Sequence, residues 1–249
     1  MERTGTYIYG VGKVIPSGSL HGLRGVAGAE VRTLEHRGLA AAVSDVDLDE
    51  FGAEGLRRNL ENLDWVANVA WAHDEVVKAV AARAAVAPLR MVIVCLGDDS
   101  VRAKLDEMYD DIQAILSRIE HRVEWGVKAF LDDGPRRADR TQVESGAAYL
   151  RRRSTELESH GTTETAAAEV ADGLHAALDV EAFASRRHPP QDKTLSRHRG
   201  RMILNGSYLA GTGEGGAWED RIEYLRQQHP DVRLRLTGPW PPYSFAELD

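Results

Sequence analysis

The chain has 249 residues, a length that fits two domains of ordinary size better than one. Hydrophobic residues make up 43% and charged residues 28%, values that exclude a disordered chain. The formal net charge is −8, so the long-range field repels phosphate, which argues against a nucleic-acid partner.

Three strands are predicted before any long helix. Residues 7–14 are rich in β-branched and aromatic side chains, which favour a strand. Two further runs of strand type, residues 31–36 and 39–46, are separated by only two residues, the spacing of a tight hairpin. Arg37 and Gly38 are therefore the predicted turn.

A long amphipathic helix is predicted over residues 59–85. Apolar residues recur there at steps of three and four, the period at which one helix face is buried. The residues assigned to this inward face are Leu63, Val66, Ala67, Ala70, Val77, Val80, Ala81 and Ala84. His73 lies on the same helix without a second metal ligand at a suitable spacing, so capping, packing or solvation is its expected role.

Residues 89–96 form a nearly continuous apolar run of strand length. Such a run is typical of a central strand that is covered on both faces. Cys95 lies inside the run and is the single cysteine, so it cannot form an internal disulfide. Because no basic or histidine residue is near it in sequence, we expect a buried thiol that packs as a small hydrophobe.

A second helix is predicted to begin at Asp98 and Asp99, whose carboxylates can cap free backbone N–H groups. Apolar residues then recur at every third or fourth position, a narrow stripe of the coiled-coil kind. The stripe consists of Val101, Leu105, Met108, Ile112, Ile115 and Ile119. Core packing is the favoured explanation, and an exposed seam for a partner helix is the alternative.

The second half of the chain begins with a predicted strand over residues 121–132. Residues 145–187 lack proline and are rich in Ala, Glu, Arg and Leu, which predicts one long helix or two helices broken near His160 and Gly161. The first part of this region carries few large hydrophobic residues. We therefore expect residues 156–165 to form a projecting, mobile arm.

The remaining predicted elements are a weak strand, a strand, a helix and a strand, at residues 193–197, 201–210, 217–228 and 232–237. The last of these alternates strictly, which predicts one buried face and one cationic face. Together the second half reads βαββαβ. We therefore expect an α+β protein of two domains, residues 1–120 and 121–249, the second a modified ferredoxin-like fold with a long helical extension.

The sequence has no segment suited to a lipid bilayer. No apolar run approaches the roughly 20 residues that a membrane-crossing helix needs. The first ten residues, MERTGTYIYG, lack the apolar core of a signal peptide. We therefore expect a cytoplasmic protein without a lipid-membrane partner.

Few residues have the pattern of a catalytic or cofactor site. The glycine-rich connector at residues 211–216 lies between a strand and a helix, as phosphate-binding loops do. However, no Lys-Ser or Lys-Thr pair follows it, and Glu214 would repel a phosphate. The remaining histidines lack metal spacing, and no Gly-x-Ser-x-Gly elbow occurs. The sequence therefore predicts no catalytic residue, no metal and no cofactor.

The C-terminal segment TGPWPPYSF, residues 237–245, resembles the C-terminal signature of the GvpF/GvpL family of gas vesicle proteins. Matches to other landmarks of that family run along nearly the whole chain. They lie at residues 7–10, 35–44, 71–73, 88–90, 123–128, 145–150 and 204–209. Residues 91–95 depart from the family pattern and the connector after Ala210 is unusually rich in glycine, which leaves the paralogue, F or L, open.

The resemblance implies two α+β domains and a non-enzymatic role in gas vesicle formation, through contact with the small shell protein GvpA. Other accessory gas vesicle proteins are further implied partners, and the vesicle is an implied location. GvpA-type proteins present a strongly apolar face to gas. We therefore expect one domain to hold the shell protein by sheet-edge pairing or in an apolar groove, while the acidic surface keeps the complex dispersed.

Two other functions stay open. Ferredoxin-like domains often pair edge to edge, so a ligand-sensing or general protein-binding module is the second candidate. An acylphosphatase-like enzyme is the third, and it is suggested by the order of elements alone, which is weak evidence for a function.

The candidate partner-binding or structural signature residues are Tyr149, Arg153, Trp240, Tyr243 and Phe245. Pro239, Pro241 and Pro242 fix φ and remove backbone donors, which forces an extended, polyproline-like course. A hydrophobic lid folded back over the sheet is the favoured explanation of the three terminal aromatic residues, ahead of a partner-facing hot spot. Tyr149 belongs to a family landmark, and Arg153 belongs to a basic run that could contact an acidic partner.

Overall fold

The computed structural model describes residues 4–16, 18, 20–131, 164–190 and 200–247. These residues form two compact units. The first contains the described residues up to Glu124 together with those from Trp240 onward, and the second contains those from Trp125 to Pro239. Two antiparallel sheets accompany the helices, so the predicted α+β class is confirmed. The division into domains 1–120 and 121–249 stays a prediction.

The first unit is built on a sheet with the strand order β2-β3-β1-β4, in which β5 also pairs with β1. The strands are β1 Thr4–Gly12, β2 Arg32–His36, β3 Leu39–Asp47, β4 Val86–Pro88 and β5 Val94–Cys95. The helices are α1 Leu48–Phe51, α2 Ala53–Asn59, α3 Leu63–Ala81, α4 Asp98–Glu107 and α5 Tyr109–Ile119. Tyr7 and Tyr9 of β1 share one buried cluster with Val76 and Val80 of α3.

The predicted hairpin is confirmed, because β2 and β3 pair antiparallel with His36 opposite Leu39. Arg37 has φ 49° and Gly38 has φ 74°. Left-handed backbone at both central residues is the geometry of a type I′ turn, whose twist matches that of the flanking strands. The register of the hairpin therefore follows from its two turn residues.

The predicted central strand over residues 89–96 is wrong. The structure has two short strands instead, β4 just before that range and β5 within it, and both pair with β1 at the edge of the sheet. The chain leaves the ladder between them, and Val92 has φ 71°. An apolar run indicates burial but not pairing, and residues 91–95 are only partly buried. Cys95 is accordingly half-buried rather than fully buried, and that burial raises the pKa of its thiol.

The first long helix is confirmed, but its predicted inward face is partly wrong. The side chain of Asn62 accepts hydrogen bonds from the backbone N–H groups of Asp64 and Trp65, so α3 begins at Leu63, four residues later than the expected residue 59. The fully buried residues of the helix are Val69, His73, Val76, Val77 and Val80. Leu63 and Ala67, which were assigned to the core, are exposed instead.

The predicted second helix is two helices, α4 and α5, which meet at Met108 with φ −102°. The apolar stripe packs in the core, as expected, and the alternative of an exposed seam is wrong. Its fully buried members are Val101, Leu105, Ile112, Ile115 and Ile119. The helix starts at Asp98 as predicted, yet this carboxylate accepts from Arg32 at 2.7 Å and 3.0 Å instead of capping the backbone.

The second unit is built on a sheet with the strand order β7-β8-β6-β9. The strands are β6 Arg122–Leu131, β7 Ala184–Arg187, β8 Arg201–Gly211 and β9 Val232–Trp240. Its described helices are α6, residues 164–179, and α7, Gly215–Gln228. The element order is β6-α6-β7-β8-α7-β9, and the ferredoxin-like assignment stays an interpretation of that order. In β9, Val232 and Leu234 are buried between exposed arginines, so the predicted alternation is confirmed.

The helix predicted to continue to residue 187 ends at residue 179. Residues 184–187 form β7 instead, paired from Ala184 opposite Leu209 to Arg187 opposite Gly206. Local composition favours a helix there, but pairing with β8 overrides that preference. The weak strand at residues 193–197 and the arm at residues 156–165, except for its last two residues, lie outside the described residues.

Candidate partner-binding surface

The C-terminal tail, residues 240–247, is fixed to the first unit by a paired hydrogen bond. The Ser244 hydroxyl donates to Glu124 Oε1 at 2.6 Å, and the Ser244 backbone N–H donates to Glu124 Oε2 at 2.8 Å. Phe245 beside them is 6% exposed. A carboxylate that accepts two hydrogen bonds at these distances holds its partner strongly. The tail is therefore a fixed part of the surface.

Tyr243 points from the tail toward helix α3. Its hydroxyl donates to Asp74 Oδ1 at 3.4 Å, and its ring centroid lies 6.5 Å from that of His73. Burial raises the pKa of Tyr243, and the charge of Asp74 raises it further. The phenol is therefore neutral and acts as a hydrogen-bond donor.

His73 is buried beneath this contact, and both of its ring nitrogens have partners. Nε2 lies 3.2 Å from the Leu89 carbonyl oxygen, which can only accept, so Nε2 carries the proton. Nδ1 then accepts from the Tyr7 hydroxyl at 3.0 Å. The same hydroxyl accepts from the Val92 N–H at 2.9 Å. Burial lowers the pKa of His73 to about 4, so the ring is neutral at neutral pH and its role is packing.

Tyr9 holds the loop around Val26 against the same core through hydrogen bonds. Its hydroxyl lies 2.7 Å from Ser44 Oγ and accepts from the Val26 N–H at 2.8 Å. A Cβ atom at Gly25 would lie 1.9 Å from this hydroxyl oxygen, so only glycine fits beside it. Tyr7 and Tyr9 were predicted as strand residues alone, although their spacing of two already places both side chains on one face.

The outward face of α3 carries an apolar stripe. Leu63, Ala67 and Trp71 follow one another at spacings of four residues, which places them on one face of the helix. Leu63 is 82% exposed and Trp71 is 70% exposed. We call these three residues the outer stripe. Exposed large apolar side chains that lie together mark interaction sites more often than isolated ones do.

Trp240 of the tail lies against the same helix, at Lys78. Lys78, two turns after Trp71, places its Nζ 5.2 Å from the centroid of the Trp240 ring. Lys78 also pairs with Asp74 at 2.6 Å. Trp240 is 42% exposed, so the cation–π contact orients the ring without covering it.

The predicted signature residues therefore divide into three groups. Tyr243 and Phe245 face inward, and Trp240 faces outward on the same tail. Tyr149 and Arg153 lie outside the described residues. Which of these residues bind a partner stays a prediction. The outer stripe joins them as a candidate; sequence reasoning assigned Leu63 and Ala67 to the core and noted Trp71 only as part of a family landmark.

Other candidate sites of the described chain have internal explanations. The Glu214 carboxylate accepts from the Gly211 N–H at 2.8 Å. A backbone donor of the glycine-rich connector is therefore already bound by a carboxylate of the same connector. Among the described residues, His, Cys, Asp and Glu form no group of three or more that could hold a metal ion. Nor does any helix in the described ranges have the length and apolar character to cross a bilayer.

Residues 5–247 match the model of a protein family described as gas vesicle synthesis protein GvpL/GvpF. The chain is 35% identical over 248 residues to gas vesicle protein L from Streptomyces sp. (strain CB03234), which covers 97% of this chain and 92% of that protein. It is 26% identical over 257 residues to gas vesicle protein F from the same strain, a match that covers 97% of this chain and 99% of that protein.

The fold is also similar to that of a solved structure. The crystal structure of the gas vesicle protein GvpF from Anabaena sp. PCC7120 superposes with a TM-score of 0.72 at 19% sequence identity. The superposition covers 99% of this chain and 97% of that chain. At this identity the likeness concerns the fold, which both chains share over nearly their whole length.

Proposed function

Because the chain belongs to the GvpL/GvpF family of gas vesicle synthesis proteins, we propose that it is a non-enzymatic accessory protein that binds the shell protein GvpA during gas vesicle assembly. The observation that carries this proposal is the exposed Trp71 on α3, with Leu63 about two turns before it on the same face and Trp240 of the tail against Lys78. Tryptophan is enriched among the residues that dominate binding energy at protein interfaces. A folded surface of this kind suits the binding of another polypeptide.

The charge of the chain supports the same role. A shell subunit with a strongly apolar face needs a partner that keeps it dispersed before it joins the vesicle. With 39 acidic and 31 basic residues, the chain carries a net negative charge that opposes association between complexes. We place the protein in the cytoplasm and at the growing vesicle, with other accessory gas vesicle proteins as further partners.

The role requires no catalytic group. His73, the most buried imidazole near the tail, has both nitrogens engaged and is neutral at neutral pH. We therefore expect no hydrolysis of acyl phosphates, and no specific observation favours a ligand-sensing role. An assay with acetyl phosphate tests the enzymatic alternative, and a rate above that of a heat-denatured sample would contradict the non-enzymatic role.

Co-expression with GvpA tests the binding proposal. The affinity-tagged full chain should retain GvpA in the soluble fraction and bring it down on the resin, while the tag alone should leave it in the pellet. Sucrose-gradient fractions of purified vesicles, probed with an antibody to the chain, would show whether it stays on the mature shell. Failure of the full chain to retain GvpA would count against the proposed function.

A further inference from the structure

The outer stripe of α3 is bounded by two unlike margins. On one side lie Val66, Ala70 and Val77, which are partly or fully buried. The opposite margin carries Asp64, Asn68 and Glu75, which are exposed and follow at spacings of four and seven residues. The stripe therefore lies between the body of the first unit and a polar, acidic margin.

The acidic margin is only partly neutralised within the described chain. Asp64 forms no ion pair with any residue that the structure describes. Glu75 shares Lys78 with Asp74, at 3.7 Å and 2.6 Å. Helix α3 thus has three carboxylates for one lysine, and its surface attracts a basic segment.

We propose that the outer stripe docks one amphipathic helix of the shell protein, with an apolar side that covers Leu63 and Trp71 and with Lys or Arg residues that face Asp64 and Glu75. The identity of the partner rests on the proposed function, whereas the chemistry of the docked segment rests on α3 itself. From Leu63 to Trp71 the stripe extends about 12 Å, which seats roughly two turns of a helix. Protein interfaces usually have apolar anchor residues at the centre and charged residues at the rim.

A second copy of the chain fits this surface poorly. Packing two α3 helices antiparallel against each other would bring the carboxylates of both margins close together. Like charges opposite one another across an interface are destabilising. The same margin favours a helix of opposite charge, so the occupant is a basic partner segment.

Two synthetic helical peptides test the chemistry of the docked segment. Both have the same length and the same leucine stripe, and one carries lysines and the other glutamates along the margin. Fluorescence anisotropy with the full chain should show that the lysine peptide binds at least about tenfold more tightly, and that salt reduces this preference. Equal affinity for the two peptides would overturn the proposal.

Two pairs of variants locate the binding. Leu63→Ser with Trp71→Ser should weaken binding of the lysine peptide by about tenfold or more. The matched control is Val14→Ser with Leu96→Ser, two side chains of the same unit that are 69% and 76% exposed, and it should bind as the wild type does. Equal losses in the two pairs would contradict a site on α3.

Neutralising the acidic margin tests its part separately. Asp64→Asn with Glu75→Gln should abolish the preference for lysine over glutamate, while Glu107→Gln with Glu219→Gln, two exposed carboxylates elsewhere, should preserve it. A preference that persists in the first pair would contradict the assigned margin.

Capture of GvpA by the same variants separates this inference from the proposed function. If the wild type retains GvpA and the Leu63→Ser, Trp71→Ser variant does not, both are supported. If both chains retain GvpA equally, the docking surface is wrong and the proposed function stands. If the wild type binds the lysine peptide but not GvpA, the chemistry of the surface stands and the partner is wrong.

Discussion

Helix α3 places a histidine inward and a tryptophan outward, two residues apart in sequence. His73 is 4% exposed and Trp71 is 70% exposed. The buried imidazole is stable inside because each ring nitrogen has a hydrogen-bond partner. The outer stripe has no comparable packing in the described chain. Helix α3 therefore buries a polar ring whose hydrogen bonds are complete and leaves apolar side chains of the opposite face exposed to solvent.

Within helix α3, the largest expected effect follows from removing the inward imidazole. His73→Ala would leave the Tyr7 hydroxyl and the Leu89 carbonyl each short of a partner, beside a new cavity. We expect the free energy of unfolding to fall by about 3–4 kcal/mol, as measured by urea denaturation. Asn68→Ala, an exposed position on the same helix, is the control and should stay within about 0.5 kcal/mol of the wild type. A loss of less than about 1 kcal/mol for His73→Ala would contradict the network.

Acid should weaken the inward face through the same residue. The pKa of His73 is lowered by burial from 6.5 to about 4, so the unfolded chain binds this proton more tightly than the folded chain does. The contribution to stability is complete above pH 6.5 and is lost as the pH falls toward 4. The expected loss over that window is roughly 3 kcal/mol.

Urea denaturation at several pH values compares the wild type with His73→Gln, which cannot titrate. The variant should lack this part of the pH dependence, whereas His21→Gln, at an exposed position, should retain it. Parallel pH profiles for the wild type and His73→Gln would show that the buried ring is not the source.

The start of α3 is expected to matter less than its inward face. The Asn62 side chain accepts from the N–H groups of Asp64 and Trp65 at 3.1 Å and 3.3 Å. Asn62→Ala should lower the free energy of unfolding by about 1 kcal/mol. Asn62→Asp keeps a capping oxygen and should behave as the wild type does, so equal losses in the two variants would argue against a capping role.

The smallest effect on stability is expected on the outward face. Trp71→Ser should change the free energy of unfolding by less than about 0.5 kcal/mol, because the side chain buries little. Trp218→Ser is the contrast, since that side chain is 3% exposed and its loss should cost about 3–5 kcal/mol. Thermal unfolding followed by circular dichroism compares them, and strong destabilisation by Trp71→Ser would mean that this residue belongs to the core.

Features set by neighbouring residues could be predicted from the sequence. The hairpin followed from Arg37 and Gly38 because a two-residue turn fixes its own register. The buried stripe from Val101 to Ile119 followed from its period. Trp240 was marked by the family signature. Each of these depends on residues a few positions apart.

Features set by distant residues could not be predicted. The partner of His73 is Tyr7, 66 positions away, and the partner of Ser244 is Glu124, 120 positions away. Because His73 turns inward through that contact, the apolar pattern of α3 was assigned to the wrong side at Leu63. The strand expected at residues 89–96 also depends on a distant residue. It is interrupted at Val92, whose backbone N–H donates to the Tyr7 hydroxyl instead of to a neighbouring strand.

The interruption between β4 and β5 leaves only short ladders along one border of the first sheet. Strand β4 has three residues and strand β5 has two. Such short edge strands pair poorly with a strand of another molecule. On the proposed function the chain binds aggregation-prone shell subunits, and this border of the sheet offers them little backbone for pairing.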